Sequence, residues 1–394
     1  MNLSSKRECI GVFFRIYRLL FSDLKNFSVI LILSILPFVV SFSPIYSDSR
    51  TEYPLDIRNN FAPTFLHLDP QSVSPTTLPK GKSYFTSGYS FGSDIKESNL
   101  NIDKDIPYTY QRPILMNYFI DRYPTTLGSY IASDFYRFGR LENQNRTSID
   151  LETSLFNMRY NYGITNNIEM GFQVSVISYN SGSMDNIINS YHSAIGVRTG
   201  KEYSPNNEYR YKLTDGYTNT FLGTPPRTGM GDSVLSLKWN LINSPENGFS
   251  LALVSSAKIP TGSMKYEMSN GRGDASAGFS LKYKKDKWIG YFNGYGVYVS
   301  NSFGNPDIKL RSFGSASITL EYLLHPKISI LAQLDGKSSA FSSHTVYLSR
   351  PIVMFSMGAN WKVRSTSVLQ FSFTEDITIT VPDFTMQMNW REYF

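Results

Sequence analysis

One cysteine, Cys9, is all that this 394-residue chain contains, so it can close no internal disulfide and build no cysteine-based metal site. Lys6-Arg7-Glu8 stand before it, not a lipidation motif. Charge is scarce as well: Lys, Arg, Asp and Glu make up 18% of residues, against roughly 25% in soluble proteins. Histidine occurs four times, at His67, His192, His325 and His344. That is little material for a Ser–His hydrolase, and no matched carboxylate pair suggests glycosidase chemistry. Apolar runs long enough to span a membrane as helices are missing, and the mean hydropathy of −0.24 excludes a helical membrane bundle. Of the net charge of +6, half sits in residues 1–47, where five basic residues face Glu8 and Asp23. The rest is dispersed and gives no basis for nucleic-acid binding.

Aromatic residues, by contrast, reach 15%, with 27 Tyr and 27 Phe. Low charge with many aromatics suits a wall that has lipid on one side and water on the other. A secreted β-sandwich is the soluble alternative. The last residues alternate: Phe384, Met386, Met388 and Trp390 on one parity, Thr385, Gln387, Asn389 and Arg391 on the other, before a terminal Phe394. This is the pattern of the final strand of an outer-membrane β-barrel, the strand such chains present to the barrel-assembly machinery.

Side chains on a strand alternate in direction, so a two-faced wall writes period two into the sequence. Leu235, Leu237 and Trp239 oppose Ser236, Lys238 and Asn240; Ile318, Leu320 and Tyr322 oppose Ser317, Thr319 and Glu321. Such runs predict strands near 83–91, 148–161, 167–179, 232–242, 249–259, 275–284, 287–300, 312–323, 327–335, 351–362, 367–375 and 384–394. Short connections (163–167, 243–248, 284–287, 325–327, 364–366) alternate with long polar ones (180–231, 260–274, 301–311, 336–349, 376–383). A sandwich has no reason to keep that order, whereas a barrel with short inner turns and long outer loops does. The expectation is an all-β fold, a transmembrane antiparallel β-barrel of twelve strands. Fourteen is the alternative if 107–140 adds a hairpin. A parity change near Leu155 and Phe156 predicts a bulge. Trp239, Tyr283, Trp288, Tyr322, Trp361 and Trp390 near strand ends predict an interfacial girdle.

At the N-terminus, 27–42 is an apolar core behind a basic region, the layout of a signal peptide over 1–47. It is short for a spanning helix and Pro37 breaks it. An uncleaved anchor would conflict with a barrel. The segment 48–82, with Arg58 and five prolines, reads as a lumen plug or as a periplasmic tether.

Several stretches together resemble a bacterial family of unknown function, domain-of-unknown-function family 3187. They are Pro54-Leu55-Asp56-Ile57-Arg58-Asn59-Asn60 with Leu66-His67-Leu68; the run 155–163 followed by Asn167-Ile168-Glu169-Met170-Gly171; and the run 182–192 with Gly196 and Arg198. Gly229-Met230-Gly231-Asp232, Pro260-Thr261-Gly262 and Gly271-Arg272-Gly273-Asp274 complete the set. The Gly-Met-Gly-Asp and Pro-Thr-Gly pieces are also similar to those of barrels assigned to aromatic-compound transport. The resemblance covers most of 52–394 and implies an outer-membrane barrel with no established activity. Residues 92–146 stand as an insertion, and Asn189 replaces an acidic residue.

No cofactor, metal or catalytic set emerges. Asp185 and His192 share a helical face but are too few to hold a metal. The Asp of each Gly-rich motif reads as an acceptor of backbone N–H groups rather than as part of a calcium loop. Candidates for lining or gating a lumen are Arg58, Asp185, His192 and Arg198, together with the inward charges Glu169, Lys238, Lys282, Glu321, Lys362 and Arg391. Lys258 and Asp335 share that inward parity. Mixed signs suit pairing across a narrow lumen. The functional expectation is passive passage of a small molecule, hydrophobic ones included, gated by 180–231 and the N-terminal segment. The alternative is a structural or surface-interaction barrel with a closed lumen. Outer-membrane lipid is the partner implied in both.

Overall fold

The computed structural model describes residues 52–97, 146–182, 184–186, 190, 209–214, 219–222, 227–244, 248–300, 309–341, 346–378, 382 and 384–394. The chain divides into two compact units, Met1–Pro44 and Ile45–Phe394. The first unit, with the expected signal sequence, lies outside the described residues, as do 107–140, His192, Arg198 and His344.

The strands are β1 (Ser83–Glu97), β2 (Arg146–Gly163), β3 (Ile168–Asn180), β4 (Arg210–Thr214), β5 (Asn219–Leu222), β6 (Arg227–Met230), β7 (Ser233–Ser244) and β8 (Phe249–Ile259). There follow β9 (Asp274–Lys285), β10 (Trp288–Tyr298), β11 (Phe313–His325), β12 (Ile328–Lys337), β13 (Ile352–Lys362), β14 (Ser367–Asp376) and β15 (Phe384–Tyr393). Every pairing is antiparallel, and β15 returns to β1 in continuous register from Tyr84↔Tyr393 to Ser93↔Phe384. The sheet is thus a closed ring of twelve, β1–β3 and β7–β15, which leaves no unpaired edge. β6 runs on from β7 along the same neighbour, β3, across a break at Gly231-Asp232. β4 and β5 form a hairpin on an extension of β2. The expected loop 180–231 therefore carries strands of its own. Five short turns lie at one end of the barrel, with Ser83 and Tyr393; this is the turn end, and the opposite end is the loop end.

Alternation decides which side chain meets which medium. On β11, Ile318 is 59% exposed while its neighbour Thr319 is 1% exposed. Met170, Phe172, Leu235, Leu237, Leu320, Ile330, Met357 and Phe371 are likewise exposed, and together they wrap the outside. A soluble monomer rarely shows so continuous an apolar surface; here it is a band that dissolves in hydrocarbon. Tyr160, Tyr162, Trp239, Tyr283, Trp288 and Trp361 are exposed at its turn-end rim, and the Trp288 and Tyr322 rings pair at 4.6 Å. No helix among the described residues is long and apolar enough to cross a membrane; the crossing is made by strands.

One local expectation is corrected. β2 pairs with β1 and with β3 in unbroken register through Leu155 and Phe156, so there is no bulge. The parity changes because the inside becomes apolar toward the loop end. Inward-facing Ile149, Leu151 and Leu155 join a buried cluster with Phe61 and Leu66 from the segment before β1.

Candidate functional site

Residues 52–78 lie inside the barrel and run as a hairpin from the turn end up to the loop-end half and back. Glu52 starts it, its carboxylate 3.1 Å from Lys282 and 2.5 Å from Lys284 near the end of β9. Extended backbone then climbs past β13–β15. A 3-10 turn over Ala62–Leu66, with Pro63 in its first turn, reverses the chain. The return limb passes Ser317, Asn293 and Asn240, and Leu78 reaches Glu169 beside the β2–β3 turn. Backbone so deep inside would be costly unless every N–H and C=O found a partner. Wall side chains supply them. Asp56 N–H donates to Gln370 Oε1 (2.9 Å), Arg58 N–H to Gln387 Oε1 (3.1 Å) and Val73 N–H to Asn293 Oδ1 (3.2 Å). Leu78 N–H donates to Glu169 Oε2 (2.9 Å). Two inward glycines leave room where the segment presses on the wall. A Cβ on Gly92 would lie 2.9 Å from Asn60 Cβ, and one on Gly358 would lie 2.8 Å from Leu55 Cδ2.

Toward the turn end the contacts are ionic. Asp56 and Arg58, two apart in extended backbone, face the same side, and Arg159 of β2 reaches the same carboxylate. The separations are 3.5 Å from Arg58 and 3.3 Å from Arg159. Burial alone would raise the Asp56 pKa, but Arg159, Arg58 and Arg391 together hold it below its ordinary value. Burial pulls the Arg58 guanidinium down to about 10, against the opposing pull of Asp56. Arg391 of β15 lies 3.7 Å from the centre of the Tyr53 ring. Lys238 pairs with Glu169 at 3.2 Å and donates to the carbonyls of Ser74 and Thr76.

Toward the loop end the Gly-rich motifs converge on one buried lysine. Lys258 Nζ lies 3.1 Å from Asp232 and 3.0 Å from Asp274, and donates to Leu66 O and Asn270 Oδ1. Gly262 N–H donates to Asp232 Oδ1 (2.8 Å), and Ser233 N–H donates to Thr261 Oγ1 (2.9 Å). Leu68 N–H donates to Asp274 Oδ2 (2.9 Å). The three motifs, scattered in sequence, thus form one latch that grips the segment at Leu66–Leu68.

His67, in the same stretch, is buried edge-on to Phe313, with ring centres 5.0 Å apart, and near Phe341. Burial lowers its pKa below the ordinary 6.5, with Lys258 and Lys337 adding to the shift and Asp69 and the Leu68 carbonyl opposing it. His67 is therefore neutral in place, while a released segment would take up a proton below 6.5. The closed arrangement loses stability as pH falls through that value. Asp56, held below 3.8, stays ionised throughout this window. Proteolytic cleavage within 52–78 should be faster at about pH 5.5 than at about pH 7.5. His67→Phe should flatten the profile, and an unchanged profile in that variant would assign the effect elsewhere.

Between the segment and β2, β3, β7 and β8 lies a cavity of about 130 Å³. Its lining mixes polar and charged residues, among them Arg58, Gln71, Asp69, Glu169 and Asp232, with the apolar Phe65, Leu155, Ile177, Val234 and Val254. The structure brings Arg58, Glu169 and Lys238 to this cavity and places Arg391 behind Tyr53. Lys282 sits lower, on Glu52. Glu321 is buried away from the cavity, accepting from Tyr291, Ser329 and Asn360. Asp335 accepts from Gln333. Lys362 is half-buried at the turn end. Asp185 is buried in the 180–231 loop, where Asp185, Asn186 and Ser190 have helical backbone. Asp56, Arg159, Asp69 and Gln71 escaped the sequence reading. Asp56 stands in the Pro54–Asn60 family motif and Arg159 shares parity with Asn157 and Asn161, but neither pointed to the other.

The family model described as Protein of unknown function (DUF3187) matches residues 124–394. The chain belongs to this family. No curated protein matches it. Among solved structures, this DUF3187 chain is similar to the COG4313 outer membrane channel from Pseudomonas putida F1. Identity there is 13%, the TM-score is 0.49, and 83% of this chain and 100% of that one are covered. The CymD monoaromatic hydrocarbon channel gives 10%, 0.37, 80% and 89%. The toluene transporter TbuX from Ralstonia pickettii gives 9%, 0.36, 80% and 90%. All are likenesses of overall shape.

Proposed function

We propose that this barrel is an outer-membrane channel for passive passage of a small molecule, and that residues 52–78 are its resident gate. The supporting observation is how that segment is held. It joins no sheet; backbone N–H groups along it donate to the side chains of Gln370, Gln387, Asn293, Asp274 and Glu169. Such polar side chains can exchange backbone partners for water, so the segment can leave without stranding unsatisfied groups. The apolar belt is the basis for an outer-membrane location, and β15, with its alternating apolar and polar faces, is the segment offered to the assembly machinery. A barrel built only as a structural wall could fill its lumen with side chains and would need no separate segment.

A reversible lock tests the reading. Ser72 Oγ and Ser317 Oγ are 2.6 Å apart, and sulfurs at those sites come within reach of a bond of about 2.05 Å. The S72C/S317C protein in liposomes should block solute-driven swelling when oxidised and restore it on reduction. Equal, sealed behaviour in both states would leave the closed structural barrel as the correct reading.

A further inference from the structure

The turn end carries a charge asymmetry that neither the wall nor the lumen segment uses. Three neighbouring turns, 284–287, 325–327 and 362–366, hold Lys284, Lys285, Lys287, Lys327, Lys362 and Arg364 against one acid, Asp286. That is a surplus of five, whereas residues 48–394 as a whole have a surplus of three. The other two turns of this end, 163–167 and 243–248, contain no Lys or Arg. Lys80 and Lys82 stand outside the arc, where the segment leads into β1. Lys284 is answered by Glu52. No described carboxylate is in ion-pair contact with Lys285, Lys287, Lys327 or Lys362. Lys285, Lys287, Lys327 and Arg364 are exposed.

Strand register fixes the depth of these charges. Lys285 pairs across the β9–β10 turn with Trp288, and Lys287 precedes that ring in the chain. Trp288 pairs with Tyr322 of β11, their rings 4.6 Å apart. Ile328, which follows Lys327, pairs with Trp361. Backbone bonds tie the turns into one arc: Leu323 N–H donates to Lys287 O (2.8 Å), and Lys362 N–H donates to Lys327 O (2.7 Å). Trp288 and Trp361 are exposed at the rim of the apolar band. Indole rings at such a rim settle at headgroup level. Lysines beside them therefore stand where lipid phosphates stand, with their stems along apolar surface and their ammonium groups in the polar layer. A second copy docked on this arc would set like charge against like. A soluble acidic partner would have to compete with the bilayer for Lys285, which shares its outward face with Tyr283 and Trp288.

We infer that the β9–β14 arc of the turn end is a binding surface for anionic phospholipid. Lys285, Lys287, Lys327 and Arg364 meet the phosphates, and Trp288 and Trp361 lie against the glycerol and the upper acyl chains. Basic side chains at a membrane surface attract anionic lipid one by one, so the preference grows with each of them. The inference goes beyond the channel reading and takes from it only the outer-membrane placement, which puts the short turns at the periplasmic leaflet.

The test uses the full-length barrel in bilayers of phosphatidylethanolamine with a minor share of phosphatidylglycerol. In separate samples one lipid or the other carries brominated acyl chains, which quench any indole they touch. Three proteins each keep one indole, Trp288, Trp361 or Trp239, with the other tryptophans replaced by Phe. Trp239 serves as the reference, since the turns near it lack Lys and Arg. Brominated phosphatidylglycerol should be enriched about fivefold or more beside Trp288 and Trp361 relative to Trp239, and brominated phosphatidylethanolamine should not. Sodium chloride at about 1 M should erase the preference, as should Lys285→Gln, Lys287→Gln and Lys327→Gln combined. If a single-tryptophan protein does not fold, salt-sensitive quenching of the native protein by brominated phosphatidylglycerol decides. Equal phosphatidylglycerol quenching at all three positions, a preference that survives the substitutions, or one shared by phosphatidylethanolamine overturns the inference. A barrel that keeps the preference but never conducts would sink only the channel. A conducting barrel without the preference would sink only this assignment.

Discussion

Deleting residues 52–78 should turn a near-silent barrel into one with steady conductance larger by about an order of magnitude or more. The segment carries most of what blocks the lumen. Its apolar turn fills the loop-end half through Phe61, Ala62 and Leu66 against Ile149, Leu151, Ile177 and Tyr179. Its two limbs occupy the turn-end half through Asp56, Arg58, Ser72 and Leu78. Without it, the inward faces of β9–β15 present Ser280, Asn293, Ser317, Gln333, Gln370 and Gln387, residues that water solvates readily. The wall should persist, because its strand pairing is closed and does not include the segment. Heat-modifiable migration on gels checks that the barrel still forms, and bilayer recording reads the conductance. A folded but silent deletion protein would show that the loop end seals the barrel by itself, and the gate assignment would be wrong.

The second large effect is expected at Lys258. Its ammonium is enclosed by Asp232, Asp274, Leu66 O and Asn270 Oδ1. Lys258→Met leaves two carboxylates buried on one spot with no cation between them. Breaking a buried ion pair from one side costs about 3–5 kcal/mol, and the strain falls where the segment is gripped. The variant should unfold at lower urea in lipid vesicles and should also open spontaneously. The triple variant Lys258→Met, Asp232→Asn, Asp274→Asn removes all three charges and should recover most of the lost stability. Recovery of stability without recovery of closure would mean that the latch acts on the gate specifically. A Lys258→Met protein as stable and as closed as the parent would show that Lys258 does not act as a latch.

Period two was enough to place the wall because hydrocarbon and water lie on opposite sides of each strand, and Ile318 and Thr319 cannot exchange roles. It faltered at Leu155 and Phe156, where the inner medium is no longer water but the apolar turn of the segment. The same limit explains the site. Glu169, Lys238, Lys282, Glu321 and Arg391 could be read as inward because each sits opposite an apolar parity. Their partners could not be read, since Asp56 lies 103 residues from Arg159 and Leu68 lies 206 residues from Asp274. The Gly-Met-Gly-Asp, Pro-Thr-Gly and Gly-Arg-Gly-Asp motifs looked like separate turns. Only the fold makes them one latch.

From the order of its residues alone this chain determined a closed twelve-stranded wall with one face for lipid, because alternation is a local property and every strand repeats it. Whether residues 52–78 hang outside or thread the barrel was left to the tertiary structure, as was which charges meet there. Those outcomes depend on long-range pairing: a buried backbone N–H or a buried guanidinium goes where a distant side chain can answer it.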